Sequence, residues 1–288
     1  GVNQRQALRD KGLHADYLAM SATPIPRTLA LAMYGDYETA RISGLPGGRP
    51  PVSTLWVRTQ AGLDEALRDV EERIGRGEQA CFVCPAIGAD EADSVRAATA
   101  TWKRYAKTSL ASRGIALLHG RLDDNEKTII MDDFIGGRVG LLVATSVIEV
   151  GIDNPGLSCI VIFEAQCFGL SQLHQLRGRV GRGRLPSVCY LVTRGQGAEE
   201  SGARIQVLLE SSDGFRIAEA DLALRGPGDF LGVAQTGLPE FSVADLSRDG
   251  KMLELARKDA ALILGHDPLL ESPHNASLRR GLGEGRDE

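Results

Sequence analysis

The chain has no run of about 18 apolar residues, the length a membrane-spanning helix needs, so no such helix is expected in its 288 residues. Its first residues, GVNQRQALRDKG, lack the apolar stretch and small-residue cleavage site of a secretory signal. A cytoplasmic, membrane-free protein is the expectation. Cysteine is scarce and odd in number, five in all at irregular spacing, which fits reduced thiols rather than a disulfide framework. No Gly-x-x-x-x-Gly-Lys-[Ser/Thr] loop occurs, because the only Gly-Lys pair, Gly250-Lys251, is followed by Met252. That phosphate-cradling device is therefore missing from these residues. Positive charge is also not in excess: the formal balance is −5 and the pI is near 5.7. Totals of this kind argue against a generally basic, nucleic-acid-coating surface. Negative charge, however, is missing locally. Residues 165–198 hold no carboxylate and five arginines.

Within that stretch Arg177, Arg179, Arg182 and Arg184 crowd among glycines after a short helix-like segment. Guanidinium forks pair bidentately with phosphate oxygens, and glycine lets the backbone approach closely, so the cluster suits a polyphosphate. From Val52 to Thr193 strand-like and helix-like segments alternate. The strand candidates are Thr54–Val57, Ala80–Cys84, Ile115–Leu118, Leu141–Ala144, Cys159–Phe163 and Val188–Val192. Most are apolar on both faces, as in a parallel sheet covered on both sides. Leu63, Leu67, Val70 and Ile74 form one helical stripe. Asp123 with Glu126 marks another helix start, with Ile130, Met131, Phe134 and Ile135 expected inward. Such alternation predicts a doubly wound α/β domain. Cys81-Phe-Val-Cys84 lies inside an apolar run and reads as core. Asp90-Glu-Ala-Asp93 reads as a polar helix start, not a metal site. No metal is expected to bind these residues. Beyond Thr193 two short helices, starting near Arg204 and Asp213, predict a hairpin, and a helix over Leu253–Gly265 follows.

The pattern Ala-Thr-x-x-x-Glu-x-Gly-Ile-Asp at 144–153, with Gln175, Gly178, Arg179, Gly181 and Arg182 after it, resembles motifs V and VI of superfamily-two helicases. SATPIPRTLA at 21–30 resembles the motif III segment, and RGPGDFLG with Gln235-Thr-Gly237 resembles a translocation motif. The wording as a whole resembles the RecG family of branched-DNA helicases, from Gly1 to about Leu282.

That resemblance implies an α/β fold: a RecA-like helicase C-terminal domain at 52–195, behind a remnant of the first RecA-like domain at 1–43 and a linker at 44–51. It places a translocation hairpin and loop at 196–240 and a helical element with a tail at 241–288. Arg179 and Arg182 would be arginine fingers, with Gln175, Asp153 and Gly151 nearer the nucleotide. Ser21, Ala22, Thr23 and Arg27 would couple nucleotide to DNA. His119, Gly120 and Thr145 would contact the DNA backbone, and Arg204, Arg225 and Gln235 would serve translocation. The partners implied are ATP, branched double-stranded DNA and an N-terminal half of the same enzyme that holds Mg²⁺. A monomer is expected, and this segment alone is expected to be inactive. Gln166-Cys167 stand where relatives carry an acidic–arginine pair, which puts one salt link in doubt. The alternatives are the related transcription-repair coupling translocase and a non-catalytic DNA-binding fragment.

Overall fold

A computed structural model describes residues 50–85, 91–145, 153–195, 201–225 and 249–284, together with Leu18, Met20, Ala40 and Ile42. Those four isolated residues are exposed and belong to no helix or strand. The other expectations for residues 1–43 lie outside the described set.

Six strands form one sheet: β1 (Ser53–Val57), β2 (Gln79–Val83), β3 (Ile115–Leu118), β4 (Leu141–Ala144), β5 (Leu157–Ile162) and β6 (Val188–Val192). Every pairing is parallel, in the order β1-β6-β5-β2-β4-β3. The four inner strands are buried along their whole length, as expected when helices cover both faces.

On one face lie α1 (Gln60–Gly75) and α2 (Glu91–Tyr105), which pack Leu63, Ala66, Val70, Ile74, Ala98 and Tyr105 against Phe82, Val143 and Val161. Thr59 caps α1 by accepting from Gly62 N–H at 3.1 Å. On the other face lie α3 (Asp124–Ile135), α4 (Leu170–Arg177), α5 (Gly202–Glu210) and α6 (Gly214–Arg225). The Asp123–Glu126 pair closes a reciprocal capping box on α3, with bonds of 2.8 and 3.1 Å. Phe134 is fully buried and Ile130 and Met131 partly so, but Ile135, expected inward, is exposed. It is the last residue of α3, just before Gly136 ends the helix.

The hairpin α5–α6 packs against the sheet. Ile205, Leu208 and Ile217 belong to the same apolar cluster as β5 and α4, and Ser171 Oγ meets Asp221 Oδ2 at 3.0 Å. The compact unit accordingly runs from Ile42 to Asp221.

A second unit holds α7 (Gly250–His266) and α8 (Ala276–Glu284). Within it, Asp267 accepts from Asn275 Nδ2, Ser272 N–H and Glu271 N–H, each at 2.9 Å, and these bonds hold its carboxyl below the usual range.

Candidate functional site

The candidate residues divide between the two ends of the sheet. His119 and Gly120 follow β3 and Thr145 follows β4, all at the carboxyl ends of the strands. Thr145 is 4% exposed, and its N–H donates to Leu118 O at 3.2 Å. His119 is half-buried, and its Nδ1 has no hydrogen-bond partner among the described residues. Asp153 instead precedes β5, and the loop 178–184 precedes β6, at the amino ends. Strands of this length, at about 3.3 Å per residue, set the two groups roughly 15 Å apart.

The arginine loop is pinned from several sides. Gly181 has φ +76, and a Cβ there would come within 2.7 Å of Val52 Cγ2, so only glycine fits. A Cβ at Gly183 would strike the Pro155 carbonyl oxygen. Between these glycines Arg182 Nη1 pairs with Asp153 Oδ1 at 3.2 Å, and its Nε donates to Gly178 O at 3.4 Å. The Arg182 side chain is 29% exposed and that of Asp153 74%. An ion pair this open to water is worth at most about 1 kcal/mol. Arg179 is half-buried, and its N–H donates to Leu176 O at 3.0 Å.

Behind Asp153 is a buried amide pair. Asn154 Nδ2 donates to Gln79 Oε1 at 3.0 Å, and Asn154 Oδ1 accepts from Gly156 N–H at 2.9 Å. Gln79 Nε2 donates to the Val139 carbonyl at 2.7 Å and to that of Phe134. The turn before β5 is thereby fixed to the start of β2 and the end of α3.

Arg177 departs from the reading that groups it with the phosphate-seeking arginines. It is 6% exposed. Its Nη1 donates to Leu208 O at 2.7 Å and Ser211 O at 3.0 Å, at the carboxyl end of α5, and its Nη2 meets His174 Nδ1 at 3.0 Å. An arginine can only donate, so Nδ1 accepts and the imidazole proton sits on Nε2. Burial, then the adjacent Arg177 charge, pushes His174 down to about 4. Helical spacing contained the signal: Leu170, Leu173 and Arg177 share one stripe, and that stripe is buried. For Gln79 and Asn154 no sequence signal named the partner.

Gln175 lies half-buried on α4. Arg204 Nη2 donates to Gln166 O at 3.3 Å, while Gln166 Nε2 donates to Arg194 O at 2.6 Å. Hydrogen bonds to backbone carbonyls thus occupy the place where a salt link was in doubt. Arg225 closes α6, and its side chain, like Ser21, Ala22, Thr23, Arg27, Gly151 and Gln235, lies outside the described residues. Cys81 and Cys84 are buried core, and burial pushes the Cys84 thiol up to about 11. Asp93 pairs with Arg96 at 2.8 Å. Among the described residues no three His, Cys, Asp or Glu side chains gather as metal ligands.

Residues 65–184 match the helicase conserved C-terminal domain, and residues 211–288 match the family described as ATP-dependent DNA helicase RecG, domain 3, C-terminal. The ATP-dependent DNA helicase RecG of Bacillus subtilis (strain 168) is 42% identical over 279 residues, 97% of this chain and 41% of the relative. That of Staphylococcus aureus (strain NCTC 8325 / PS 47) is 41% identical over 275 residues, 95% of this chain and 40% of the relative. A solved structure of RecG bound to a three-way DNA junction is 43% identical with a TM-score of 0.64, covering 85% of this chain and 31% of that one. The chain therefore spans about two-fifths of the length of the curated relatives it matches.

Proposed function

We propose that the chain is part of a RecG-type helicase, to which its similarity points, and that it forms the second half of an ATP-driven motor that remodels branched DNA in repair and recombination. The observation that carries this reading is the pinned loop 178–184. It holds Arg182 partly exposed, against a single open carboxylate whose grip is weak.

Bound ATP would supply a terminal phosphoryl group whose transfer needs fixed positive charge as negative charge develops on it. Arg179 and Arg182 provide that charge. Asp153 releases Arg182 as the stronger anion arrives and turns to the ribose edge, and Gln175 and Gly151 share the work of binding the nucleotide. Mg²⁺ is held by the rest of the parent polypeptide, and Ser21, Ala22, Thr23 and Arg27 couple nucleotide to DNA. At the other end of the sheet His119, Gly120 and Thr145 face the DNA backbone, contacts that position without reading sequence. Arg204, Arg225 and Gln235 carry the movement to the duplex. On the same reading the enzyme works as a monomer in the cytoplasm.

The test is a chimera in which this chain replaces the matching 41% of the Bacillus subtilis relative. Arg182→Ala should lower ATP turnover by about 10³–10⁵ and leave three-way-junction binding on a filter unchanged. Equal loss of both would defeat the assignment. DNA-stimulated ATPase from the chain alone would overturn the division between halves.

A further inference from the structure

Parallel α/β sheets bind ligands outside the carboxyl ends of their strands, where loops from two adjacent strands leave toward opposite faces. In this sheet that point lies between β2 and β5: β2 leads to α2 on one face, and β5 leads to α4 on the other. A cleft of about 180 Å³ opens there, lined by Pro85, Arg104, Tyr105, Phe163, Glu164 and Arg194 among others. None of these six serves the nucleotide or DNA roles assigned above.

Tyr105 and Phe163 in its wall pack on the buried Phe82 ring. Phe82 stands edge-on to Tyr105 at 5.2 Å and to Phe163 at 5.4 Å. Around it the polar groups converge. The Arg104 guanidinium lies 5.6 Å from the centre of the Tyr105 ring, and Arg194 is steadied by a 2.6 Å bond from Nη2 to Gln60 Oε1. Burial raises the Tyr105 phenol, while both arginines are near enough to pull it back. Glu164 is one of only two described non-glycine residues with positive φ, at φ 48 and ψ 51. Strain of that kind collects at ligand sites.

We propose that this cleft holds one unpaired nucleotide of a DNA strand, with its phosphate against Arg104 and Arg194 and its base stacked on Phe163. The proposal rests on the reading that the carboxyl edge bearing His119, Gly120 and Thr145 faces DNA, because the cleft opens on that same edge of the sheet, beyond the ends of β2, β5 and β6. Paired guanidinium groups suit a phosphate, and an aromatic face accepts any base. The volume is below the roughly 300–1,000 Å³ of pockets for drug-sized ligands, so a single base is accommodated rather than a base pair. Glu164 can accept from an exocyclic amine as carboxylates do from cytosine N4, which favours dC over dT.

The experiment uses the chain itself and a single-stranded oligo-dC carrying one 2-aminopurine, followed by anisotropy and by fluorescence quenching. The parent chain should bind and quench. Phe163→Leu keeps an apolar side chain but removes the ring, so it should abolish quenching and weaken binding about tenfold. Arg104→Gln with Arg194→Gln should lower the slope of log K against log salt by about 1.4, at roughly 0.7 per lost phosphate contact on a single strand. Circular dichroism confirms that each variant is folded, and Phe163→Tyr, which restores a ring, should restore quenching. If the cleft variants bind and quench like the parent while His119→Ala weakens binding, the cleft assignment is overturned and the edge reading stands. If neither set changes anything, or the parent chain binds no single strand at low salt, the cleft assignment is overturned as well.

Discussion

Replacing Arg177 by Met removes the guanidinium while keeping a side chain of similar reach in a place that is 6% exposed. Two carbonyl oxygens at the end of α5, those of Leu208 and Ser211, then lose their donor. Each buried acceptor left unsatisfied costs about 1–3 kcal/mol. Part of that is offset because a buried cation no longer has to be desolvated, so a net loss of about 3 kcal/mol is expected. At about 2–4 °C per kcal/mol for a chain of this size, the melting temperature should fall by roughly 6–12 °C, read by circular dichroism. The same change should raise the titration of the His174 imidazole above about 4, while burial, the larger cause, keeps it below 6.5. Arg177→Lys keeps the charge but presents no fork, and should lie between the two. A Met variant that melts within about 2 °C of the parent, with His174 still titrating near 4, would refute the view that this side chain ties α4 to α5.

Three further outcomes follow from the same geometry. His174 is held neutral in the fold, so the unfolded chain binds more protons between pH 6.5 and about 4. This stabilisation is complete above 6.5 and is lost as pH falls toward 4; melts at pH 7 and pH 4.5 should differ less in His174→Gln than in the parent. Gly183→Ala drives a methyl into the Pro155 carbonyl, and should cost about 1–3 kcal/mol in urea unfolding, whereas Gly137→Ala, at φ +75 with open space around it, should cost only the milder backbone strain. Gln79→Leu leaves the Phe134 and Val139 carbonyls and the Asn154 amide without their partner; a loss of about 2–4 kcal/mol is expected, and Gln79→Glu, which cannot donate when ionised, should not rescue it.

The sheet was legible because its inner strands are apolar at nearly every position, and composition reports burial on both faces directly. Three strands, β1, β2 and β5, begin earlier than expected, and for β2 and β5 the physical reason is a buried polar residue. Gln79 and Ser158 are polar residues buried at strand starts, one satisfied by carbonyls across the fold and the other by Glu78; single-residue polarity cannot announce a partner 60 or 80 positions away. At the arginine loop, the crowding of guanidinium groups was visible but their directions were not. Arg177 and Arg182 are five residues apart and similar in chemistry, yet one points into a helix end and the other toward a rim carboxylate. Helical phase separates them, and charge counting does not. The hairpin was seen as two helices, but its sharing of a core with β5 and α4 depends on long-range packing of Ile205, Leu208 and Ile217.

The central place of β2 also governs how the chain acquires its structure. Its neighbours in the sheet are β4 and β5, made some 60 and 80 residues later, so its ladder closes only after distant parts of the chain have met. Non-local pairing of this kind slows folding. During synthesis the segment QACFV waits with both hydrogen-bonding edges open, and a polypeptide stopped before Leu157 keeps one edge open permanently. An apolar strand in that condition invites addition by a second copy, which makes truncation in this region a route to aggregation.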